Sequence, residues 1–143
     1  MIFRSCAGGI VFYGNKVLIM KNEKNEWVLP KGVIKDDKIS TEVALDRVKI
    51  ECDVDARILS TAGQTSYEFY SISRQKPVCN EIIWYVMESD SDKCNINKEE
   101  GFKDGGFYRI KDALDMVTYS QDKSIINLSF QKYKSFRKEQ ANI

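Results

Sequence analysis

Arg47 and Glu51 stand four residues apart in a stretch with helical hydrophobic spacing, so their side chains share one helix face and can pair. Further charged groups lie close by in sequence: Lys31 within Leu29-Pro30-Lys31-Gly32, Lys38, Asp46, the loop acids Asp36 and Asp37, and Glu99 and Glu100 farther on. Histidine is absent from all 143 residues. That removes imidazole as base, nucleophile or metal ligand, and with it the serine-histidine and cysteine-histidine hydrolases. Chemistry falls to carboxylates, lysine, tyrosine or cysteine. Tyr67, Tyr70, Trp84 and Tyr85 are able to stack a nucleobase, although strand aromatics are more often core.

Elements to hold these groups are readable along the chain. Ser5 to Tyr13, the turn at Gly14-Asn15 and Lys16 to Lys21 predict a hairpin. Trp27 to Gly32 is extended by Pro30 and released by glycine. Ser40 or Thr41 is expected to cap a helix with apolar Val43, Ala44, Val48 and Ile50, ending near Cys52-Asp53. Arg57 to Tyr70 alternates irregularly and reads as a pair of strand segments, and Asn80 to Met87 as the strongest strand. Gly105 to Ile110 suggests a short strand, Lys111 to Val117 a short helix, and Gln121 to about Arg137 a longer amphipathic one. Interleaved strands and helices imply an α/β fold, a mixed sheet with helices on both faces, in a single domain over 1–143.

Ala7-Gly8-Gly9-Ile10-Val11, then Trp27-Val28-Leu29-Pro30-Lys31-Gly32, then Val43 to Val54 together resemble the Nudix hydrolase family. Its signature is G-x5-E-x7-R-E-U-x-E-E-x-G-U, with U aliphatic, and Gly32 sets the register. Gly32, Val48, Glu51 and Val54 match; Lys38 stands for glutamate, Asp46 for arginine, Arg47 and Ile50 for glutamates, and Asp53 for glycine. Aspartate tolerates the left-handed backbone expected after the helix. The resemblance implies a Nudix-type α/β/α sandwich. It also implies a cleft in which Lys31 and Gly32 meet the ligand, with Glu51 as the surviving signature acid and Glu100 as a supplementary carboxylate; Arg47, beside Glu51, and Tyr85, as a stacking ring, are the further candidate ligand contacts.

In active relatives the signature glutamates hold magnesium or manganese against a diphosphate. The signature carries four glutamates and one arginine, whereas Lys38, Asp46, Arg47, Ile50 and Glu51 sum to zero charge here. Unit charges about 4 Å apart interact by roughly 4 kcal/mol at an effective dielectric of about 20, so Arg47 in place of a glutamate strongly disfavours a cation. Sliding the register by one residue still leaves only Glu51 in the acidic set. No cofactor is therefore expected, magnesium or manganese being the ion if the chain is active. The leading expectation is a protein that binds a nucleotide or other phosphorylated small molecule with little ordinary hydrolase activity. Two alternatives stand beside it: a hydrolase of nucleoside diphosphate-linked compounds using Glu51, Asp46 and Glu100, and an interaction scaffold in the form of a homodimer.

The balance of 22 lysine and arginine against 21 acids gives no reason to expect duplex nucleic acid or a membrane surface as partner. Scattered Cys6, Cys52, Cys79 and Cys94, with no signal-like or membrane-length apolar run, read as reduced thiols in the cytoplasm.

Overall fold

A computed structural model describes residues 1–35 and 37–141. The strands are β1 (Ile2–Tyr13), β2 (Lys16–Asn22), β3 (Trp27–Val28), β4 (Lys31–Val33), β5 (Ala56–Ser71), β6 (Lys76–Ser89) and β7 (Phe102–Arg109). The helices are α1 (Ser40–Cys52), α2 (Ile110–Met116) and α3 (Ser120–Ala141), with a short 3-10 turn at Lys98–Glu100. One mixed sheet runs β3-β2-β1-β6-β5, with β4 also on β1 and β7 on β2. Its centre is the parallel β1–β6 pair, in register from Ile2 opposite Val78 to Phe12 opposite Glu88.

Both sheet faces are covered, which is why the central strands read as near-continuous apolar runs. Cys6, Ile10 and Phe12 of β1, Val17 and Ile19 of β2, and Ile82, Trp84 and Val86 of β6 point to the α2–α3 side, meeting Ala113, Ile125, Ile126 and Tyr133. Their neighbours Ala7, Val11, Leu18, Met20, Tyr85 and Met87 point to the other side, meeting Val43, Ala44, Val48 and Cys52 of α1. The α/β/α sandwich with a mixed sheet expected from the sequence is the fold that forms. No helix among the described residues is long and apolar enough to cross a membrane.

Two local expectations are corrected. Residues 57–70 lie in one continuous strand, β5, and its irregular alternation comes from register shifts between Ile58 and Ser60 and between Thr61 and Gly63. Neither Ser40 nor Thr41 caps α1: the cap position is Ile39, with no side-chain cap bond. Ser40 lies inside the first turn, its Oγ 2.5 Å from the Tyr85 hydroxyl. At the other end Asp53 takes the left-handed conformation, φ 55° and ψ 42°, and its N–H donates to the Lys49 carbonyl.

Candidate functional site

The α1 face that looks onto β4 is built around Arg47. Its Nε donates to Glu51 Oε2 at 2.7 Å, and its Nη2 to Glu100 Oε2 at 3.2 Å. The first contact follows from the four-residue spacing on the helix. The second is assembled by the loop after β6, which finishes the helix. Asn95 N donates to the Cys52 carbonyl and Asn97 N to the Glu51 carbonyl, each at 2.9 Å, while Asn97 Nδ2 reaches the Ile50 carbonyl at 3.0 Å. Carbonyls left open at the end of α1 are thereby satisfied. Asn97 Oδ1 also accepts from Glu99 N at 3.0 Å, fixing the turn that presents Glu100.

Gly32 closes the pocket from behind. In β4 it lies opposite Ala7 of β1, and a Cβ there would sit 2.6 Å from both Cγ and Cδ of Arg47. Only glycine lets the arginine stem lie this close to the strand. Lys31, one residue earlier, faces the other side of β4, its Nζ 5.8 Å from the centre of the Tyr67 ring.

Glu51 is 1% exposed, whereas the Arg47 side chain keeps 28% of its surface open. Burial pushes the Glu51 carboxyl up to about 7, opposed by the charges of Arg47 and Lys31 and assisted by Glu100. For Arg47 burial works against the cation, but Glu51 and Glu100 outweigh it and hold the guanidinium above its ordinary value. The two directions agree on one picture: a permanent cation sits at the rim and a reluctant anion beneath it.

Gly32, Arg47, Glu51 and Glu100, singled out in the sequence, come together here, while Lys31 stands on the other face of β4 with its charge still felt at Glu51. Tyr85 is placed differently: it is buried, packs in the α1-side core and shares a hydrogen bond between its hydroxyl and that of Ser40. Asp46 and Ile50 lie on exposed parts of α1, and Asp46 Oδ2 is 3.9 Å from Lys38 Nζ. Asp37 is exposed in the turn before α1, and Asp36 lies outside the described residues. Sequence reasoning missed the Lys38–Asp46 pair and the helix-finishing role of Asn95 and Asn97. The signal for the second was the polar alternation Asn95-Ile96-Asn97, legible only once the end of α1 is known.

Oxygen donors for a hard divalent cation are not gathered here. Glu51 and Glu100 are each engaged by the same guanidinium, Ile50 offers no donor, and Asp46 is turned to Lys38. Among the described residues no three carboxylate or thiol side chains converge as a metal site. The residues present do not fit magnesium or manganese.

No family model matches the sequence. Solved structures do. The Ap4A hydrolase of C. elegans, as a binary complex, superposes with a TM-score of 0.68 at 14% identity, over 92% of this chain and 98% of that one. The dihydroneopterin triphosphate pyrophosphohydrolase of E. coli gives 0.71 at 11% identity, over 88% and 95%. An ADP-ribose pyrophosphatase from Streptococcus suis gives 0.69 at 13% identity, over 91% of both chains. With the mixed sheet, the α1 face and these superpositions in agreement, the chain has the fold of the Nudix hydrolases.

Proposed function

We propose that this protein binds a nucleotide or another phosphorylated small molecule in the α1–β4 cleft and carries out little ordinary diphosphate hydrolysis. The observation that carries the reading is Arg47 bonded at once to Glu51 and Glu100. The two carboxylates best placed to serve a metal are both bonded to the same guanidinium. Proteins of the same fold named for Ap4A, dihydroneopterin triphosphate and ADP-ribose support a phosphorylated ligand. Reduced Cys6, Cys52, Cys79 and Cys94 suit action in the cytoplasm.

The test measures magnesium and manganese binding, and turnover of a polyphosphate panel, for the wild type and for a combined variant, Lys38→Glu, Asp46→Arg, Arg47→Glu and Ile50→Glu. Turnover gained only by the variant is the expected result. Strong metal-dependent turnover by the wild type, abolished in Glu51→Gln, would instead establish the working hydrolase.

A second reading has its own observation. β5 is the outer strand of the sheet, and Tyr67, Phe69 and Tyr70 at its far end, with Ile72 in the turn beyond it, are all exposed. Between Ser60 and Ser71 its only charge is Glu68, so little opposes antiparallel pairing with β5 of a second copy. Sedimentation equilibrium on the wild type and on Thr65→Pro distinguishes a homodimer made this way from a monomer.

A further inference from the structure

The disagreement between this site and a divalent ion has a positive side. We infer that Arg47 is the resident cation of the cleft, seated on Glu51 and Glu100 and offering its open edge to a phosphate group, so that ligand binding needs no metal. This rests on the phosphorylated-ligand reading and adds how the ligand is held.

A guanidinium carries five N–H donors in a rigid plane. Arg47 uses one on Nε for Glu51 and one on Nη2 for Glu100. The donors of Nη1 and the second of Nη2 have no partner among the described residues, and the side chain is 28% exposed. Both carboxylates therefore act as seats that fix the fork. Gly32, lacking a Cβ, leaves the space against β4 in which Cγ and Cδ of the stem lie. A fork held on its inner side with its outer side open suits bidentate capture of a phosphate oxygen pair.

The charges around it favour the same ligand. Lys31 makes no ion pair among the described residues; its ammonium lies over the Tyr67 ring and its charge is felt at Glu51. Arg47 in the cleft and Lys31 on the other face of β4 offset Glu51 and Glu100, so the surroundings are balanced before a ligand arrives, instead of strongly negative as a metal-dependent site must be. A doubly charged ion would have to displace the guanidinium from both seats, and a phosphate does not.

The experiment is calorimetric titration of inorganic pyrophosphate into the wild type in EDTA, then in magnesium, repeated with Arg47→Lys and Glu100→Gln. The expected result is binding in EDTA that magnesium changes by less than about twofold. Arg47→Lys, which keeps the charge and loses the fork, is expected to weaken binding by about tenfold. Glu100→Gln, whose amide oxygen can still seat Nη2 while the negative charge is gone, should tighten binding. Melting temperatures of both variants show that each is folded. Pyrophosphate binding that requires magnesium and survives Arg47→Lys would overturn the inference while leaving a phosphate-binding protein. Failure of pyrophosphate and of a nucleotide panel to bind in either buffer would remove both readings.

Discussion

Lys38 Nζ and Asp46 Oδ2 lie 3.9 Å apart, and the signs of this pair are opposite to those of the glutamate and arginine that the signature places at the same two positions. The contact ties the loop before α1 to the helix. Both side chains are about half exposed, 51% and 56%, so the pair contributes only a few tenths of a kcal/mol. Exchanging the charges, Lys38→Glu with Asp46→Arg, is expected to leave stability within about 0.5 kcal/mol of wild type. Either single change places like charges together and lowers it by up to about 1 kcal/mol, giving a favourable coupling in a double-mutant cycle read by urea unfolding.

Gly32→Ala drives a methyl group into the stem of Arg47, whose Cγ and Cδ would be 2.6 Å away. Those atoms are mid-chain and held by two carboxylates, so they have little room to give. The variant should lose about 1–3 kcal/mol and release the arginine from Glu51. Urea unfolding reads the first effect and pyrophosphate titration the second.

Arg47→Met keeps the packing of the stem and strips Glu51 of its counter-charge. Losing the cation raises the Glu51 proton affinity beyond the value near 7 it already has. At pH 5.5 the carboxyl is neutral and the cost should be about 1 kcal/mol; at pH 8 it must either ionise unpaired or hold a proton against the solvent, and the cost should reach about 3 kcal/mol. Equal destabilisation at the two pH values would contradict the burial argument.

Glu51 also sets the pH dependence of the wild type. Its carboxyl is raised from 4.5 to about 7 in the folded protein, so between those values the folded chain holds a proton that the unfolded chain has released. The associated stability is fully present below pH 4.5 and is lost as pH rises through 7. Asp122, pushed up to about 6 by burial with Lys31 opposing, acts with the same sign at lower pH. Glu51→Gln should therefore abolish the fall between pH 6 and 7.5, on the order of 1 kcal/mol, and leave the Asp122 portion. Thermal melts across that range for both proteins check it.

Much of the fold was legible because binary patterning and backbone chemistry agreed. The Gly14-Asn15 turn closes β1 onto β2, with Phe12 opposite Val17, and Asp53 accepts the left-handed backbone that ends α1. Arg47 and Glu51 were readable as a pair because helical spacing alone brings them together. Glu100 was not readable in the same way. Its place at Arg47 depends on Asn95 and Asn97 reaching the last carbonyls of α1 across more than forty residues, a tertiary fit that no local pattern encodes. Tyr85 was hard to place for a different reason. A central strand covered on both faces presents aromatic residues to either side, and periodicity does not tell a cleft-facing ring from one packed under a helix. The Ser40 contact that consumes its hydroxyl also explains why the expected helix cap is missing.

The parallel pairing of β1 with β6 has a consequence for how the chain is made. Ile2 waits for Val78 and Phe12 for Glu88, so a ribosome has to deliver the chain as far as β6 before β1 meets its main neighbour. Until then the β1–β2 hairpin carries an open hydrogen-bonding edge and apolar residues on both sides. Assembly governed by such distant contacts is slow, and the nascent amino-terminal segment is the part of this protein most in need of a chaperone during synthesis.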